Sequence, residues 1–160
     1  MTGFADRADA GRQLAAVLSD TVASMHEPLL VAIMPHGVPV AMPLADAFGL
    51  PLAGASLERE GDPRVTQWPD VMGREVIVVD DGVETGTAAL LVGAVLREAG
   101  ASRLALAVPV CPRQAEAGLQ SLYDAIVAIQ RPLARRDLRW HYVDFDSIDE
   151  AEAQRQLDAR

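Results

Sequence analysis

The sequence predicts an α/β fold in which a mostly parallel, doubly wound sheet of five to six strands lies between two layers of helices. Short apolar, β-branched segments alternate with amphipathic segments along most of the chain. Two of the apolar segments, residues 29–34 and 76–79, contain no polar residue, which is typical of strands buried on both faces. The links between segments are short, so helices should cross over between parallel strands and form a three-layer α/β/α structure.

Length and charge narrow the class of protein. The chain has 160 residues, half of them hydrophobic, which indicates a single domain over residues 1–160 with a substantial core. Its net charge of −9 argues against nucleic acid or an anionic membrane as a partner. Cys111 is the single cysteine, so a disulfide framework and a cysteine zinc cluster are excluded. We find no signal peptide or membrane-spanning segment and expect a cytoplasmic protein.

The first half of the chain predicts two helices and two strands. A helix over residues 8–22 carries one apolar stripe, and a buried strand follows at 29–34. The next helix, over 37–48, ends at Gly49, and Pro43 predicts either a late start or a kink within it. A second short strand covers 52–57. Residues 58–73 are polar and rich in turn residues, with a brief extended piece at 65–67.

The second half repeats the alternation. A strand at 76–79 leads to a helix that begins near Thr87 and stops at Gly100. A strand at 103–110, a helix at 112–119 and a strand at 124–129 follow, and Ser147 or Asp149 caps a final helix. If strands 29–34 and 76–79 are neighbours at the centre of the sheet, the loops 34–38 and 80–88 face one crevice, where such sheets bind ligands.

The segment after the strand at 76–79 carries the chemistry. Asp80 and Asp81 stand at the end of the strand, where carboxylates suit ribose hydroxyls or hydrated Mg²⁺. Thr85, Gly86 and Thr87 then lead into a helix whose first N–H groups are unpaired, and this arrangement is typical of a phosphate site. The alternative is an ordinary turn in which Thr85 caps the helix.

At these residues the chain resembles the type I phosphoribosyltransferases. Their signature is four apolar residues, two acids, a variable triplet and Thr-Gly-x-Thr/Ser, and residues 76–87 fit it. Ala88 departs from the pattern, because the family usually has a hydroxyl there. Residues 4–15, 37–41 and 142–145 are further similar to a group of stand-alone bacterial members, and we expect the terminal matches to pack the first helix and the tail onto the sheet.

The resemblance implies a reaction that transfers ribose 5-phosphate from phosphoribosyl diphosphate to a nucleobase-like nitrogen and releases diphosphate. Asp80 and Asp81 would take the ribose hydroxyls and the Mg²⁺ cofactor, and with Glu84 they are the expected catalytic residues. The expected substrate-binding residues hold the 5-phosphate after the acid pair or the diphosphate after the first strand, and they are Val83, Thr85, Gly86, Thr87, Ala88, Pro35, His36 and Gly37.

Glu84 has two readings. In purine-type relatives an acid just before the Thr-Gly acts on the ring nitrogen of the incoming base, so the resemblance implies a general base or hydrogen-bond acceptor. The alternative is a solvated acid in a turn.

Three departures favour a second interpretation, a non-catalytic sensor of phosphoribosyl diphosphate or a nucleoside monophosphate. Ala88 lacks the hydroxyl, and Pro35 and His36 stand where relatives carry a basic residue and glycine. The segment 58–73 is short for a hood that recognises a base, and its candidate ligand contacts are Arg59, Arg64 and Trp68. Because relatives often form dimers, the resemblance also implies a homodimer as one option for the oligomeric state.

Overall fold

The computed structural model describes residues 3–160 and contains one six-stranded sheet in that range. The strands are β1 (Leu29–Ile33), β2 (Leu52–Glu58), β3 (Arg64–Gln67), β4 (Glu75–Val79), β5 (Arg103–Val110) and β6 (Ala125–Gln130). Their order across the sheet is β3-β2-β1-β4-β5-β6. All neighbours are parallel except β2 and β3, which form an antiparallel edge pair. The predicted fold class is confirmed.

Helices cover both faces of this sheet. They are α1 (Arg7–Ala23), α2 (Val38–Phe48), α3 (Thr87–Glu98), α4 (Arg113–Leu119) and α5 (Glu150–Asp158), with a 3₁₀ helix at Leu138–His141. One core cluster joins the sheet to α1, α2 and α5, and another joins the opposite face to α3 and α4. The structure therefore has the expected three layers. Within residues 3–160, no helix combines the length and apolar character that crossing a bilayer requires.

Helix α2 differs from the expectation at Pro43. The helix runs from Val38 without a late start, although Pro43 lies inside it and cannot donate a backbone hydrogen bond. Close packing against α1 explains why the helix is kept, because a Cβ on Gly11 would lie 2.3 Å from the carbonyl oxygen of Val40 and 3.0 Å from Cγ of Pro43. The helix ends at Gly49 with φ of 63°, as the sequence predicts.

The chain reverses its direction of winding between β1 and β4. From β1 it proceeds to β2 and β3 on one side, whereas β4, β5 and β6 extend the other side. Leu29 of β1 pairs with Val76 of β4, and Ala32 pairs with Val79. The loops that follow these two strands therefore meet at the carboxyl edge of the sheet, which confirms the predicted crevice.

The two ends of the described chain pack together at the same edge. Phe4 forms a β-bridge with Tyr142, and their ring centroids lie 5.4 Å apart. The backbone N–H of Val143 donates to the carbonyl of Phe4 at 2.8 Å. This contact places the start of α1 and the segment 138–147 beside the loops that follow β1 and β4.

Candidate functional site

A cavity of about 700 Å³ opens at the carboxyl ends of β1 and β4. Its wall includes nearly all of the segment that the sequence singles out, together with residues from four other parts of the chain. The residues that line it include Arg7, His36, Arg59, Asp80, Asp81, Gly82, Val83, Glu84, Thr85, Gly86, Thr87, Ala88, Leu138, Arg139, Phe145 and Asp146. The topology therefore brings the start of α1, the loop after β1, the end of β2 and the tail to one site.

The phosphate loop (residues 82–89) presents free backbone donors to this cavity. Gly86 precedes α3 with φ of 91°, a conformation that favours glycine, and Oγ1 of Thr85 accepts a hydrogen bond from the backbone N–H of Thr87 at 3.4 Å. The N–H groups of Ala88 and Ala89 have no acceptor among residues 3–160. The hydroxyls of Thr85 and Thr87 lie 3.1 Å apart at the same point. Unpaired amides, hydroxyls and the positive end of the helix dipole together form a site suited to an anion.

Asp80 and Asp81 lie beside the phosphate loop in different surroundings. Asp81 is 6% exposed, and its Oδ2 accepts a hydrogen bond from Nε of Arg7 at 3.0 Å. Asp80 accepts a hydrogen bond from the backbone N–H of Asp81 at 2.8 Å. Burial, followed by the charge of Asp81, raises the pKa of Asp80 well above its ordinary value. Asp81 is thus paired with Arg7, while the raised pKa of Asp80 favours binding of a proton or a cation there.

Arg7 is a site residue that the sequence reasoning missed. The terminal matches were expected only to pack, and Phe4 and Tyr142 do so, but Arg7 reaches the cavity wall. Its guanidinium lies 4.0 Å from the ring centroid of Phe145, and its Nη1 donates to the carbonyl of Asp146. The signal available was the resemblance of residues 4–15 to stand-alone family members, because an arginine on an otherwise apolar helix face needs a partner.

The loop after β1 contributes one side chain to the cavity. His36 lies in the wall, whereas Pro35 and Gly37, which were expected to bind substrate, do not. Gly37 packs against the sheet, where a Cβ would lie 2.6 Å from the carbonyl oxygen of Val79. Nε2 of His36 is buried without a hydrogen-bond partner among residues 3–160. Burial, followed by the charge of Arg7, lowers the pKa of His36, so the imidazole is neutral near pH 7.

Glu84 connects the phosphate loop to the 3₁₀ helix. Its side chain is exposed, and Oε1 accepts a hydrogen bond from the backbone N–H of Leu138 at 3.1 Å. Gly82 makes a second contact, because a Cβ there would lie 2.5 Å from Cδ2 of Leu138. Leu138 and Arg139 therefore form part of the cavity wall. No sequence motif predicts this, because the residues that contact Leu138 lie more than 50 positions earlier in the chain.

The segment between β2 and β4 contributes fewer side chains to the cavity than the three candidates that the sequence offers. Arg59 lines the cavity, whereas Arg64 and Trp68 do not. Trp68 lines a separate groove of about 580 Å³ between the β2–β3 pair and α5. Arg59 makes no hydrogen bond or ion pair with the described residues, but its positive charge acts to lower the pKa values of both His36 and Asp80. It is therefore a free cation at the mouth of the site.

The acid pair fits Mg²⁺ only when the ion is shared with a ligand. Among residues 3–160, no group of three or more His, Cys, Asp or Glu side chains is arranged to hold a metal. Mg²⁺ commonly binds one or two carboxylates and completes its shell with water and substrate phosphates. The raised pKa of Asp80 reflects burial first and then the charge of Asp81, and a divalent cation would offset the repulsion between the two carboxylates. Asp80, with Asp81 beside it, would hold the ion.

Comparisons with known proteins support the fold. Residues 5–135 match the family model of the phosphoribosyl transferase domain. The structure is similar to the protein TT1426 from Thermus thermophilus, with a TM-score of 0.84, 21% identity and 97% of each chain covered. A purine phosphoribosyltransferase from Pyrococcus horikoshii has a TM-score of 0.60 and 20% identity over 89% of this chain and 93% of that one. A protein from Neisseria gonorrhoeae with bound ppGpp has a TM-score of 0.65 and 18% identity over 94% of this chain and 92% of that one.

Proposed function

Because the chain belongs to the phosphoribosyl transferase domain family, we propose that it binds phosphoribosyl diphosphate with Mg²⁺ and transfers ribose 5-phosphate to a nucleobase-like nitrogen. Diphosphate is the second product. The observation that carries this proposal is the pairing of free amides at the start of α3 with two carboxylates in one cavity. A sugar phosphate presents the complementary groups, a terminal dianion and neighbouring hydroxyls.

The phosphate loop would bind the 5-phosphate through the amides of Ala88 and Ala89 and the hydroxyls of Thr85 and Thr87. The hydroxyls of the ribose would then donate to Asp80. Because the anomeric carbon becomes electron-poor as its bond to diphosphate lengthens, fixed carboxylates beside the ring would stabilise the transition state. Bound Mg²⁺ would neutralise charge that develops on the diphosphate. The contribution of the chain itself is positioning and charge stabilisation.

Glu84 would act on the nucleobase-like substrate that receives the ribose 5-phosphate. One carboxylate oxygen is engaged by the N–H of Leu138 at 3.1 Å, which fixes the side chain in the cavity wall. The other oxygen makes no hydrogen bond with residues 3–160. In this proposal it accepts the proton of the attacking ring nitrogen, and Arg139 and Leu138 flank the acceptor in place of a large hood.

A second candidate function is a non-catalytic nucleotide or phosphoribosyl diphosphate sensor. Pro35 has no backbone donor and His36 is neutral, so the loop after β1 offers little to a leaving diphosphate. The Neisseria protein with bound ppGpp is a structural neighbour that carries a nucleotide, which supports keeping this alternative. Both candidates use the phosphate loop and differ only in turnover.

Two measurements test the proposal. Calorimetric titration of phosphoribosyl diphosphate with Mg²⁺ should give clear binding to the wild type and weaker binding to Asp81→Asn and Asp80→Asn. Equal heats for all three proteins would remove the site assignment. Diphosphate release should then be followed with a panel of bases and amines. Release with at least one acceptor supports transfer, whereas binding without release from any of them favours the sensor.

A further inference from the structure

Arg7 is an arginine in the cavity wall that is nearly enclosed by protein. It is 6% exposed although it lies within the cavity lining. Burying a guanidinium is costly unless its hydrogen bonds and charge are satisfied. The way its donors are used therefore indicates whether Arg7 serves only the fold or also a ligand.

Not every nitrogen of the Arg7 guanidinium has a hydrogen-bond acceptor among residues 3–160. Nε donates to Asp81 at 3.0 Å, and Nη1 donates to the carbonyl of Asp146. Nη2 has no acceptor among residues 3–160, and it is not one of the sealed, unpartnered nitrogens, which are Nε2 of His36 and Nε2 of His141. Since Arg7 lines the cavity, its Nη2 is left to donate to a ligand bound there.

The guanidinium is also held in place before any ligand arrives. One face stacks on Phe145 at 4.0 Å from the ring centroid, and Phe145 in turn packs against Tyr142 with centroids 4.9 Å apart. The hydroxyl of Tyr142 donates to the carbonyl of Asp81 at 2.6 Å. A planar group fixed by stacking and by two hydrogen bonds loses little entropy when it donates a third.

The loop after β1 needs such a donor. Its backbone N–H groups are almost fully committed, since that of Gly37 donates to Ile33 at 2.8 Å and that of Val38 donates to Pro35 at 3.3 Å. Pro35 has none. Only the amide of His36 is left, so the backbone alone cannot bind a polyanion there. Arg7 and Arg59 line the same cavity as His36, and the charges of both arginines contribute to the lowered pKa of its imidazole after burial.

We propose that Nη2 of Arg7 donates directly to the diphosphate group of bound phosphoribosyl diphosphate, and that it supplies the positive contact that the loop after β1 lacks. This inference rests on the proposed function and assigns a ligand-binding role to the first helix. Arg59 lines the same cavity, makes no hydrogen bond or ion pair with the described residues and gives the ligand a second positive neighbour. The 5-phosphate, by contrast, stays with the phosphate loop.

The test separates the two ends of the ligand by using inorganic diphosphate with Mg²⁺ and ribose 5-phosphate as separate calorimetric probes. Replacing Arg7 alone would leave Asp81 buried without a partner, so the comparison is between Asp81→Asn and the double variant Arg7→Met/Asp81→Asn. Arg12→Met controls for the lost charge, because Arg12 lies on the same helix with its side chain 62% exposed. Circular dichroism and thermal melting verify that each variant is folded.

The double variant should bind diphosphate at least roughly tenfold more weakly than Asp81→Asn, as expected for the loss of a hydrogen bond between charged groups. Its affinity for ribose 5-phosphate should change by less than about twofold, because substitutions at sites that share no partner affect each other little. Equal diphosphate affinities, or equal losses for both probes, would overturn the role of Arg7. If the wild type binds ribose 5-phosphate but not diphosphate, the inference fails and the sugar phosphate site stands. If it binds neither, both fail.

Discussion

Oε1 of Glu84 lies 3.1 Å from the backbone nitrogen of Leu138, and this hydrogen bond joins the phosphate loop to the 3₁₀ helix across the cavity mouth. Leu138 also fills the space left by the missing side chain of Gly82. The phosphate loop and the acceptor side of the cavity are thus parts of one connected structure. A substitution at Glu84 can therefore act through its charge, through this connection, or through both.

Two variants of Glu84 separate those effects. Glu84→Gln keeps a carbonyl oxygen for the N–H of Leu138 but cannot take a proton. We expect it to lower turnover by about 10²–10⁴-fold if Glu84 is the general base, with little change in affinity for phosphoribosyl diphosphate. Glu84→Ala should lower turnover and also weaken donor binding, because the connection is lost. Steady-state kinetics and calorimetry on both variants check this, and identical effects of the two would mean that Glu84 acts only as a structural link.

Removal of Asp81 should destabilise the fold strongly. Asp81→Ala leaves the buried guanidinium of Arg7 without its charged partner, and breaking a buried pair in this way costs about 3–5 kcal/mol of unfolding free energy. Urea denaturation measures the change. Asp46→Ala is the matched control, because its pair with Arg160 has a similar N–O distance of 2.7 Å but an Asp side chain that is 70% exposed. The control should change stability by less than about 1 kcal/mol, and equal losses in both variants would contradict the assigned burial.

Asp80 should make the protein less stable as the pH rises, in the absence of Mg²⁺ and phosphate. Burial and the charge of Asp81 raise its folded-state pKa, so the folded state binds this proton more tightly than the unfolded state. Its stabilising effect is complete below the unfolded pKa of about 4 and is lost as the pH rises through the raised value.

The check is urea denaturation across pH for the wild type and Asp80→Asn. The variant should lack this decline, because asparagine stays neutral and can still accept from the N–H of Asp81. Between low pH and a pH above the raised pKa of Asp80, Asp80→Asn should therefore lose less unfolding free energy than the wild type. Parallel curves for the two proteins would rule out a raised pKa at Asp80.

Ala88 should accept a hydroxyl with a gain in phosphate affinity. Ala88 lies in the cavity wall at the start of α3, where its methyl group offers no hydrogen bond to a phosphate. One added hydrogen bond is worth about 1 kcal/mol, so Ala88→Ser should bind ribose 5-phosphate about fivefold more tightly. Ala94→Ser, on an exposed position of the same helix, controls for the change in helix propensity. An unchanged affinity for Ala88→Ser would place the phosphate elsewhere.

The sequence predicted the fold and most of the phosphate loop because these features are local. Strands β1 and β4 are apolar runs, and the start of α3 follows from Thr85, Gly86 and Thr87. The neighbouring placement of β1 and β4 followed from general rules of parallel sheets. Asp149, one of the two caps considered for the last helix, accepts from Glu152 at 2.8 Å.

The rest of the site depends on contacts between distant residues, which a local pattern does not encode. Arg7 meets Asp81 across 74 positions, and Leu138 meets Glu84 across 54. The expectation at Pro35 and Gly37 placed a whole loop at the ligand, whereas packing of Gly37 against β4 leaves only His36 in the cavity wall. The late start that Pro43 offered for α2 is wrong, because the helix begins at Val38 and packs closely on Gly11.

The most direct test of the account is a titration of phosphoribosyl diphosphate with Mg²⁺ followed through the backbone amide chemical shifts of the isotope-labelled protein. If the start of α3 binds the 5-phosphate, the amides of Gly86, Thr87, Ala88 and Ala89 should show the largest shifts, with smaller changes at Asp80 and Asp81. Saturating shifts confined to other residues, such as those of the groove beside Trp68, with residues 85–89 unchanged, would contradict the central claim.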